Sequence, residues 1–349
     1  MDKLKVGLLG ATGLVGQVFV SFLSRHPWFD LTVLSASPQR SGKLYGEVVS
    51  WIVGGSLSEE VAELRLVKPN PNEFSGVDLV FSALPSDTAS HVEPEFAEEG
   101  FTVISNSSNF RLDPDVPLIV PEVNPEHLTL LKVQRRWRGK IVKNPNCSTA
   151  ILVMTLKPLM EHGLRRVFVT TLQAISGAGF NGVPGLAITD NVIPYISREE
   201  DKLAREPRKI LGTLMGSEVR EADISVAATT TRVPTRHGHL ESVLVELDEE
   251  ISEEELMGCF SRFRGLPQEL SLPTAPNPPI VVRREIDRPQ PLLDREEGRG
   301  MAVSVGRISR LRWDGCWYRF VALGHNLVRG AAGNAVLIAE LLSHTWNNT

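Results

Sequence analysis

The sequence lacks the features that mark disulfide-rich, nucleic-acid-binding or membrane proteins. Only 3 of its 349 residues are cysteine, and no CxxC or Cys/His pattern occurs, so neither a disulfide framework nor a zinc site is predicted. The 37 basic residues do not exceed the 42 acidic ones, which argues against nucleic-acid binding and a polybasic anchor. No apolar run approaches the ~20 residues of a membrane span, and no signal peptide is recognisable. We therefore expect a cytoplasmic protein without a metal, nucleic-acid or membrane partner.

The length and the order of apolar segments predict two domains. Segments 6–9, 31–34, 77–81 and 101–104 have the composition of buried strands, and 14–25 and 89–99 that of helices. Buried strands alternating with helices are typical of a doubly wound parallel sheet, so we expect an α/β chain with an N-terminal Rossmann-like domain.

After Asn146 the strands become longer and richer in β-branched residues, at 166–173, 224–233, 243–247 and 302–305. This pattern favours a C-terminal α+β domain with a mixed or antiparallel sheet. The Ala-rich segment 330–342 has the composition of a helix that returns to the first domain. The predicted domains are 1–146 plus 327–349, and 147–326.

A glycine-rich turn follows the first strand. Gly10, Gly13 and Gly16 lie three residues apart in GATGLVG, directly before the first helix. Glycines at this place allow the backbone to approach a pyrophosphate, whose charge meets amides at the helix N-terminus. The cofactor-binding residues predicted here are Gly10, Thr12, Gly13, Leu14 and Val15.

The end of the second strand indicates which dinucleotide binds. An NAD site uses an acidic residue there for the ribose hydroxyls. This chain has Ser35, Ser37, Arg40 and Ser41 instead, and hydroxyls with an arginine suit a 2′-phosphate. NADP is therefore the predicted cofactor.

Cys147 lies between an apolar strand and an apolar helix, in KNPNCSTA. At a helix N-terminus the amide dipoles favour a thiolate and stabilise an oxyanion formed nearby. The flanking Asn, Pro and Ser make Cys147 a candidate nucleophile. Cys259 and Cys316 have apolar neighbours and are expected to act as small packing residues.

A nucleophilic cysteine needs an acid/base, and the segment 232–242 contains two candidates, His237 and His239. In an extended segment both point to one face, so spacing alone does not select between them. Five further histidines occur in polar or helical contexts and are expected at the surface: His26, His91, His127, His162 and His344.

These motifs together resemble those of aspartate-β-semialdehyde dehydrogenases, in particular the archaeal and fungal branch. The resemblance covers nearly the whole chain in the same order. Its most specific segments are the glycine turn 10–16, NPNCST at 144–149, QAISGAG at 173–179, RVP at 232–234 with His239, and GAAGN at 330–334.

The resemblance implies roles for individual residues. Cys147 is the nucleophile, His239 the acid/base, and Gln173 orients the acyl thioester. Arg232 holds the substrate's α-carboxylate and Glu199 its α-ammonium. The phosphate site consists of Lys202, Arg111 and Asn146, and the cofactor site gains Ser82, Ser176, Gly177 and Asn326.

The implied reaction is the NADPH-dependent reduction of β-aspartyl phosphate to aspartate-β-semialdehyde through a Cys147 thioester, in the pathway to lysine, threonine and methionine. The resemblance also implies that the second domain carries catalysis and forms a homodimer or homotetramer. Three alternatives share these motifs in part: a malonyl-CoA reductase, an N-acetyl-γ-glutamyl-phosphate reductase, and a non-catalytic NADP-binding paralogue. Glu199 favours a substrate with a free α-ammonium. A cysteine hydrolase does not need the glycine turn.

Overall fold

The computed structural model describes residues 3–346, with the backbone alone at Trp346. The described residues form two compact units. The first contains the residues up to Ile119, then Glu126–Asn144 and the residues from Ala331 onward; the second contains Val120–Pro125 and Pro145–Gly330. Within the described residues, no helix is both long and apolar enough to cross a membrane.

Short parallel strands and helices build the first unit. Their bounds are β1 (Leu4–Leu9), α1 (Leu14–Leu23), β2 (Phe29–Leu34), α2 (Tyr45–Val48), α3 (Glu59–Ala62), β3 (Leu79–Ser82), α4 (Ser86–Glu98), β4 (Thr102–Ser105) and β5 (Lys140–Lys143). Two 3₁₀ helices, Pro71–Phe74 and Pro125–Lys132, lie between them in the chain.

The five strands pair in parallel in the order β2-β1-β3-β4-β5. Strand order reverses next to β1, and at such a point the glycine turn after β1 reaches the carboxyl edge where dinucleotides bind. Leu9, Val80 and Val103 belong to the fully buried core, as continuous apolar strands require. The predicted parallel α/β sheet is confirmed, although its third strand begins at Leu79 rather than at Val77.

The second unit contains longer elements. They are α5 (Cys147–Leu156), β6 (Leu164–Gln173), α6 (Gly185–Ile188), α7 (Glu199–Ile210), β7 (Thr213–Met215), β8 (Glu218–Arg220), β9 (Ser225–Arg232), β10 (His239–Leu247), α8 (Glu253–Arg262), α9 (Leu266–Glu269), β11 (Ile280–Val282), α10 (Pro291–Asp294), β12 (Val303–Arg310) and β13 (Cys316–Gly324). Further 3₁₀ helices are Lys157–His162, Ile175–Ala178 and Glu297–Gly300, and a π-helical turn spans Val328–Ala332.

Six of these strands form one sheet in the order β11-β12-β13-β10-β6-β9. β6 pairs antiparallel with β10 and parallel with β9, so the sheet is mixed, as predicted. Helices α5 and α7 pack on this sheet, since α5 contacts β10, β12 and β13 and α7 contacts β9. Cys147 begins α5 and His239 begins β10, so the sheet and its covering helix bring these two residues together.

The last helix, α11 (Gly333–Trp346), belongs to the first unit and contacts α1 and β4. It carries Glu340, whose carboxylate lies 2.8 Å from His26 Nε2. His26 is therefore buried (4% exposed), and His127 is fully buried, so the expectation that both lie at the surface is wrong. A helix that returns from the far end of the chain covers His26, and the local sequence does not contain that information.

Candidate active site

The contact between Cys147 and His239 defines the candidate site. Sγ of Cys147 lies 3.2 Å from Nε2 of His239, within the range in which a nucleophile and its acid/base act together. Asn146 caps the N-terminus of α5, because its side-chain oxygen accepts hydrogen bonds from the amides of Ser148 and Thr149. The predicted position of Cys147 at a helix N-terminus is thus observed.

The second ring nitrogen of His239 fixes its tautomer. Nδ1 accepts a hydrogen bond from the backbone amide of Ala174 (3.1 Å), so the proton of the neutral ring lies on Nε2 and points to the cysteine. A positively charged ring would place a second N–H against that amide. Burial, Arg232 and His325 also hold the pKa of His239 well below its usual value. His239 is thus a neutral hydrogen-bond donor toward the sulfur.

Opposing effects act on the Cys147 thiol. Burial is the largest, and with the nearby charge of Glu199 it raises the pKa of Cys147 to about 12. Arg232, Lys202 and the amide of Ser148 act in the opposite direction. The resting side chain is therefore a thiol, and the nearby donors and cations favour the thiolate without outweighing burial.

Glu199, at the first position of α7, is the central acceptor beside the cysteine. Its Oε1 accepts from Lys202 Nζ (2.6 Å) and its Oε2 from Asn146 Nδ2 (2.8 Å) and Gln173 Nε2 (3.3 Å). Burial alone raises its pKa, but Lys202 and the two amides outweigh burial and lower it. Gln173 also donates to Ser148 Oγ (2.6 Å), which ties the end of β6 to α5.

Arg232 ends β9 beside these groups and is nearly buried (6% exposed). Its guanidinium donates to the carbonyl of Ala174 (2.7 Å), and a planar fork with five N–H groups keeps donors for a ligand carboxylate. A Cβ at Gly177 would lie 2.6 Å from that guanidinium and 3.2 Å from the His239 ring. A Cβ at Gly330 would meet Cys147 Cβ at 2.6 Å. Both glycines are thus required by close approach to the site.

His237 does not join His239. The backbone at Gly238 has a φ of +95°, so the segment is not extended and the expected common face is lost. The ring of His237 stacks on His325, with centroids 5.4 Å apart, and its pKa is lowered to about 4 by burial, His325 and nearby arginines. The structure thereby selects His239, a choice that spacing left open.

Asn326 connects two loops of the site. Its side-chain oxygen accepts from the amide of Gly238, and its nitrogen donates to Ser176 Oγ, both at 2.9 Å. Asn326 and Ser176, predicted from separate motifs, are therefore neighbours beside the His239 strand. Their assignment to the cofactor remains a prediction.

The dinucleotide residues predicted around the glycine turn and the end of β2 lie in the first unit. Arg40 Nη1 donates to Thr12 Oγ1 (2.6 Å), so the arginine that follows β2 reaches the glycine turn. Gly10 has a φ of +81°, and the carbonyl of Gly10 lies directly against the Cα of Gly16. No side chain caps α1, which leaves its first amides, at Leu14 and Val15, for a ligand anion. Ser37 and Ser41 pair through their backbone in the same loop as Arg40.

Three predicted residues have less open surroundings. Ser35 is buried, and its carbonyl accepts from the amides of Gly10 and Ala11 beneath the turn. Ser82 is buried and donates to Glu93 (2.7 Å). Arg111 is nearly buried in the first unit, where it donates to the carbonyl of Asn106 (2.8 Å).

Sequence reasoning missed three neighbours of the site. His325 stacks on His237 and depresses the pKa of His239. Glu206, about two helical turns after Glu199 on α7, accepts from the amide of Asn146 (2.7 Å). Glu241 lies two residues after His239 and is fully buried. An acidic residue at an inward-facing position of the alternating strand β10 was the available signal for Glu241; for the other two the contacts are long-range.

Cys259 is also more than a packing residue. It is partly buried, and its Sγ lies 3.3 Å from His162 Nε2, while Glu249 pairs with His162 Nδ1 at 3.0 Å. Burial raises the pKa of this thiol, and a neighbouring arginine opposes the rise. Within the described residues no group of three or more potential ligands gathers in a metal-site arrangement.

Comparisons with known proteins bear on these features. Residues 5–131 match the family model "semialdehyde dehydrogenase, NAD binding domain", and residues 156–329 match "semialdehyde dehydrogenase, dimerisation domain". An aspartate-semialdehyde dehydrogenase of Archaeoglobus fulgidus is 52% identical over 97% of this chain and 98% of its own. A malonyl CoA reductase (NADP) of Metallosphaera sedula is 42% identical over 97% of this chain and 96% of its own. A crystal structure of aspartate semialdehyde dehydrogenase with NADP from Candida albicans superposes with a TM-score of 0.90 at 40% identity, covering 97% of this chain and 98% of the other.

The parallel sheet with its glycine turn and the accompanying Cys–His site define an oxidoreductase with a nicotinamide-dinucleotide-binding domain. More narrowly, the chain belongs to the semialdehyde dehydrogenase family. The resemblance to aspartate-β-semialdehyde dehydrogenases of the archaeal and fungal branch is thereby confirmed.

Proposed function

We propose that the protein reduces β-aspartyl phosphate to aspartate-β-semialdehyde with NADPH, and catalyses the reverse phosphorylating oxidation, through a thioester at Cys147. The observation that carries this proposal is the 3.2 Å contact between Cys147 Sγ and a neutral His239 Nε2, with a buried glutamate and a buried arginine nearby. The product is a precursor for the synthesis of lysine, threonine and methionine.

The charges near Cys147 suit a zwitterionic amino-acid substrate. Arg232 presents a planar fork for bidentate binding of the α-carboxylate. Glu199 Oε1 accepts one hydrogen bond, from Lys202, so it has capacity for the α-ammonium. Lys202, which is partly exposed, is the cation of the second unit that we propose for the phosphate, together with Asn146.

The bond changes at Cys147 follow from its surroundings. The partly exposed Cys147 thiol releases its proton to solvent, the thiolate attacks the acyl carbon of β-aspartyl phosphate, the C–O bond to phosphate breaks, and phosphate leaves with the electron pair. NADPH, when bound, supplies the hydride that reduces the resulting thioester carbon. His239 Nε2–H stabilises the oxyanion that each addition creates, and collapse of the last oxyanion releases the aldehyde and restores the thiolate.

The tautomer of His239 refines its role in this reaction. With Nδ1 occupied by the amide of Ala174, Nε2 donates and has no lone pair with which to take the thiol proton. We infer that His239 acts first as a donor to sulfur and oxyanion, and as a proton shuttle only after the oxyanion has formed. Gln173 orients the acyl group from its position between Ser148 and Glu199.

NADP is the cofactor that this site favours. Arg40 at Thr12 supplies a cation beside the glycine turn, and no acidic residue replaces it at the end of β2. The Candida albicans relative was solved with NADP, and the Metallosphaera sedula relative is described as an NADP enzyme.

A malonyl-CoA reductase is the second candidate, because a 42% identical relative carries that name. A CoA thioester has no α-ammonium for Glu199, and its leaving group is a thiolate rather than phosphate. N-acetyl-γ-glutamyl phosphate likewise lacks a free ammonium. The buried Glu199 with its three donors therefore favours the aspartyl substrate.

One assay distinguishes these candidates. NADPH formation from aspartate semialdehyde is measured with and without phosphate, beside NADPH oxidation with malonyl-CoA. We expect strict dependence on phosphate and no oxidation with the CoA ester. Activity that is independent of phosphate, or that occurs only with malonyl-CoA, contradicts the proposal.

We further propose a homodimer formed by the second unit. One face of its sheet is covered by α5 and α7, whereas Phe168 (45% exposed) lies on the other face. The rings of Phe168 and Trp317 pack 5.9 Å apart, and Trp313 packs on Trp317 at 5.8 Å. Exposed aromatic groups on an open sheet face are typical of a protein interface. Sedimentation equilibrium of a Phe168→Glu variant tests this, with a shift to monomer expected and an unchanged mass contradicting it.

A further inference from the structure

Two rows of side chains lie one above the other on the helix-covered face of the large sheet. The catalytic row consists of Arg232, Gln173 and His239, at neighbouring ends of β9, β6 and β10. Thr230 on β9 and Thr171 on β6 lie two residues before Arg232 and Gln173, and Glu241 on β10 lies two residues after His239. We call Thr230, Thr171 and Glu241 the polar row. Side chains two residues apart on a strand share a face, so the polar row lies directly beneath the catalytic row.

The pairing register places the polar row in one line. Thr171 is the pairing partner of Glu241 across β6 and β10, and of Thr230 across β6 and β9. Directly paired residues have their Cβ atoms about 5 Å apart. All three residues are fully buried (0% exposed).

The oxygens of this row have no protein partner in the described part of the chain. Both carboxyl oxygens of Glu241 and the hydroxyls of Thr171 and Thr230 are buried without a hydrogen bond, and Thr149 Oγ1 in the first turn of α5 is in the same condition. Buried polar groups are almost always hydrogen-bonded, to ordered water where protein does not suffice. Four adjacent orphaned oxygens in one row therefore indicate bound water rather than an isolated defect.

We propose that Glu241, as a neutral carboxylic acid, and the hydroxyls of Thr171 and Thr230 hold an enclosed water cluster that positions the catalytic row. Glu241 is thus a positioning residue that acts through the strands carrying Gln173, Arg232 and His239. The part of this proposal that concerns turnover rests on the proposed function, and the part that concerns the buried acid does not.

The protonation state follows from the surroundings. Burial is the sole cause that raises the pKa of Glu241, well above its usual value, and no cation contributes. Ala322 of β13 and Thr171 of β6 flank it. The ionisable groups of the packed elements include Cys147 on α5, Glu199, Glu200, Lys202, Glu206 and Lys209 on α7, Arg232 on β9 and His239 on β10. Glu200 accepts from the amide of Thr230 (3.1 Å), and none of these groups contributes to the pKa shift of Glu241. A neutral carboxyl also adds no negative charge beneath a cysteine that must become a thiolate.

The protonation state is tested without substrate. The alkylation rate of Cys147 by iodoacetamide is followed against pH in a Cys259→Ala, Cys316→Ala background, with and without Glu241→Gln. Because both side chains are neutral, we expect the same midpoint pH in both proteins. A midpoint that moves to lower pH in Glu241→Gln reveals an ionised glutamate and overturns the proposal.

Infrared spectroscopy supplies an independent test of the buried acid. The carbonyl band of a protonated carboxyl is expected in the parent at neutral pH and absent in Glu241→Gln. Glu246→Gln, on the same strand but on its opposite face, is the matched control and retains the band. No difference in that band between the parent and Glu241→Gln contradicts the proposal.

The positioning role is tested by comparing polar and apolar replacements. We expect Glu241→Gln to keep kcat within about threefold, and Glu241→Leu to lower it at least about tenfold with little change in KM. Should Glu241→Leu fail to fold, a triple variant with Glu241→Leu, Thr171→Val and Thr230→Val makes the polar row wholly apolar. It also removes the two buried hydroxyls that lack a hydrogen-bond partner. This variant is expected to fold and to remain at least about fivefold slow. Full kcat in the apolar-row variant shows that the layer does not position the site and overturns the proposal.

Discussion

Two buried clusters of ionisable groups in the described part of the chain use their hydrogen-bonding capacity in opposite ways. In the first unit, Glu93 and Lys143 are fully buried, and Lys143 Nζ donates to Glu93, Ser105 and Ser107. Glu93 also accepts from Ser82, Ser105 and Ser107. All three N–H groups of this lysine are thus satisfied, and the cluster ties the ends of β3, β4 and β5 together.

The cluster around Cys147 in the second unit is left incomplete. Arg232 keeps guanidinium donors beyond its bond to Ala174, Glu199 keeps capacity on Oε1, and the sulfur faces a neutral donor. The difference between the two clusters shows that burial of charge alone does not mark a reactive site. A reactive site is marked by buried groups beside the nucleophile whose hydrogen-bonding capacity the protein leaves unused, because that capacity is available to a substrate.

Replacement of the nucleophile is expected to have the largest effect. Cys147→Ala removes the group that forms the thioester, so turnover should fall by at least about 10⁴-fold while NADP binding is retained. Steady-state kinetics and cofactor titration measure the two quantities. Cys259→Ala is the matched control, since its sulfur contacts His162 and not the site. Measurable turnover in Cys147→Ala near the parent level contradicts the assignment.

Disruption of the satisfied cluster should change stability and not chemistry. Lys143→Met leaves Glu93 buried without its cation, which is expected to cost about 3–5 kcal/mol in the free energy of unfolding. Denaturant unfolding measures this loss. Lys132→Met, at an exposed lysine, should change the free energy by less than about 0.5 kcal/mol. Folded Lys143→Met should be alkylated at Cys147 at the parent rate. A large loss of that reactivity would contradict the distinction between the two clusters.

The two histidines of one segment separate the site from its surroundings. His239→Asn should lower kcat/KM by about 10²–10⁴-fold, because the donor to sulfur and oxyanion is lost. His237→Asn should cost less than about tenfold, since its ring stacks on His325. A larger loss for His237→Asn than for His239→Asn, in the same assay, reverses this assignment.

The smallest predicted effect concerns the cofactor. Arg40→Ala removes the cation at Thr12, and the KM for NADP should rise by roughly tenfold while that for NAD stays within about twofold. Kinetics with both dinucleotides measure this preference. An equal change for both cofactors places the role of Arg40 elsewhere than at the 2′-phosphate.

Local motifs of the site could be predicted from the sequence, whereas contacts between distant segments could not. Motifs carried by short segments, such as the glycine turn and NPNC before α5, predict their own local geometry, and the structure has both. The choice of His239 over His237 depends on the positive φ of Gly238, which the spacing does not contain. The partners of His26, Lys143 and Glu241 come from other strands and helices, so the periodicity of a single segment does not reveal them.

Trapping the covalent intermediate tests whether the reaction passes through a thioester at Cys147. The enzyme is mixed with aspartate semialdehyde and NADP in the absence of phosphate, quenched in acid, digested and analysed by mass spectrometry. We expect an aspartyl thioester on the peptide that contains Cys147, and its loss when phosphate is added before the quench. Product formation without any adduct, or an adduct on Cys259 instead, would contradict this expectation.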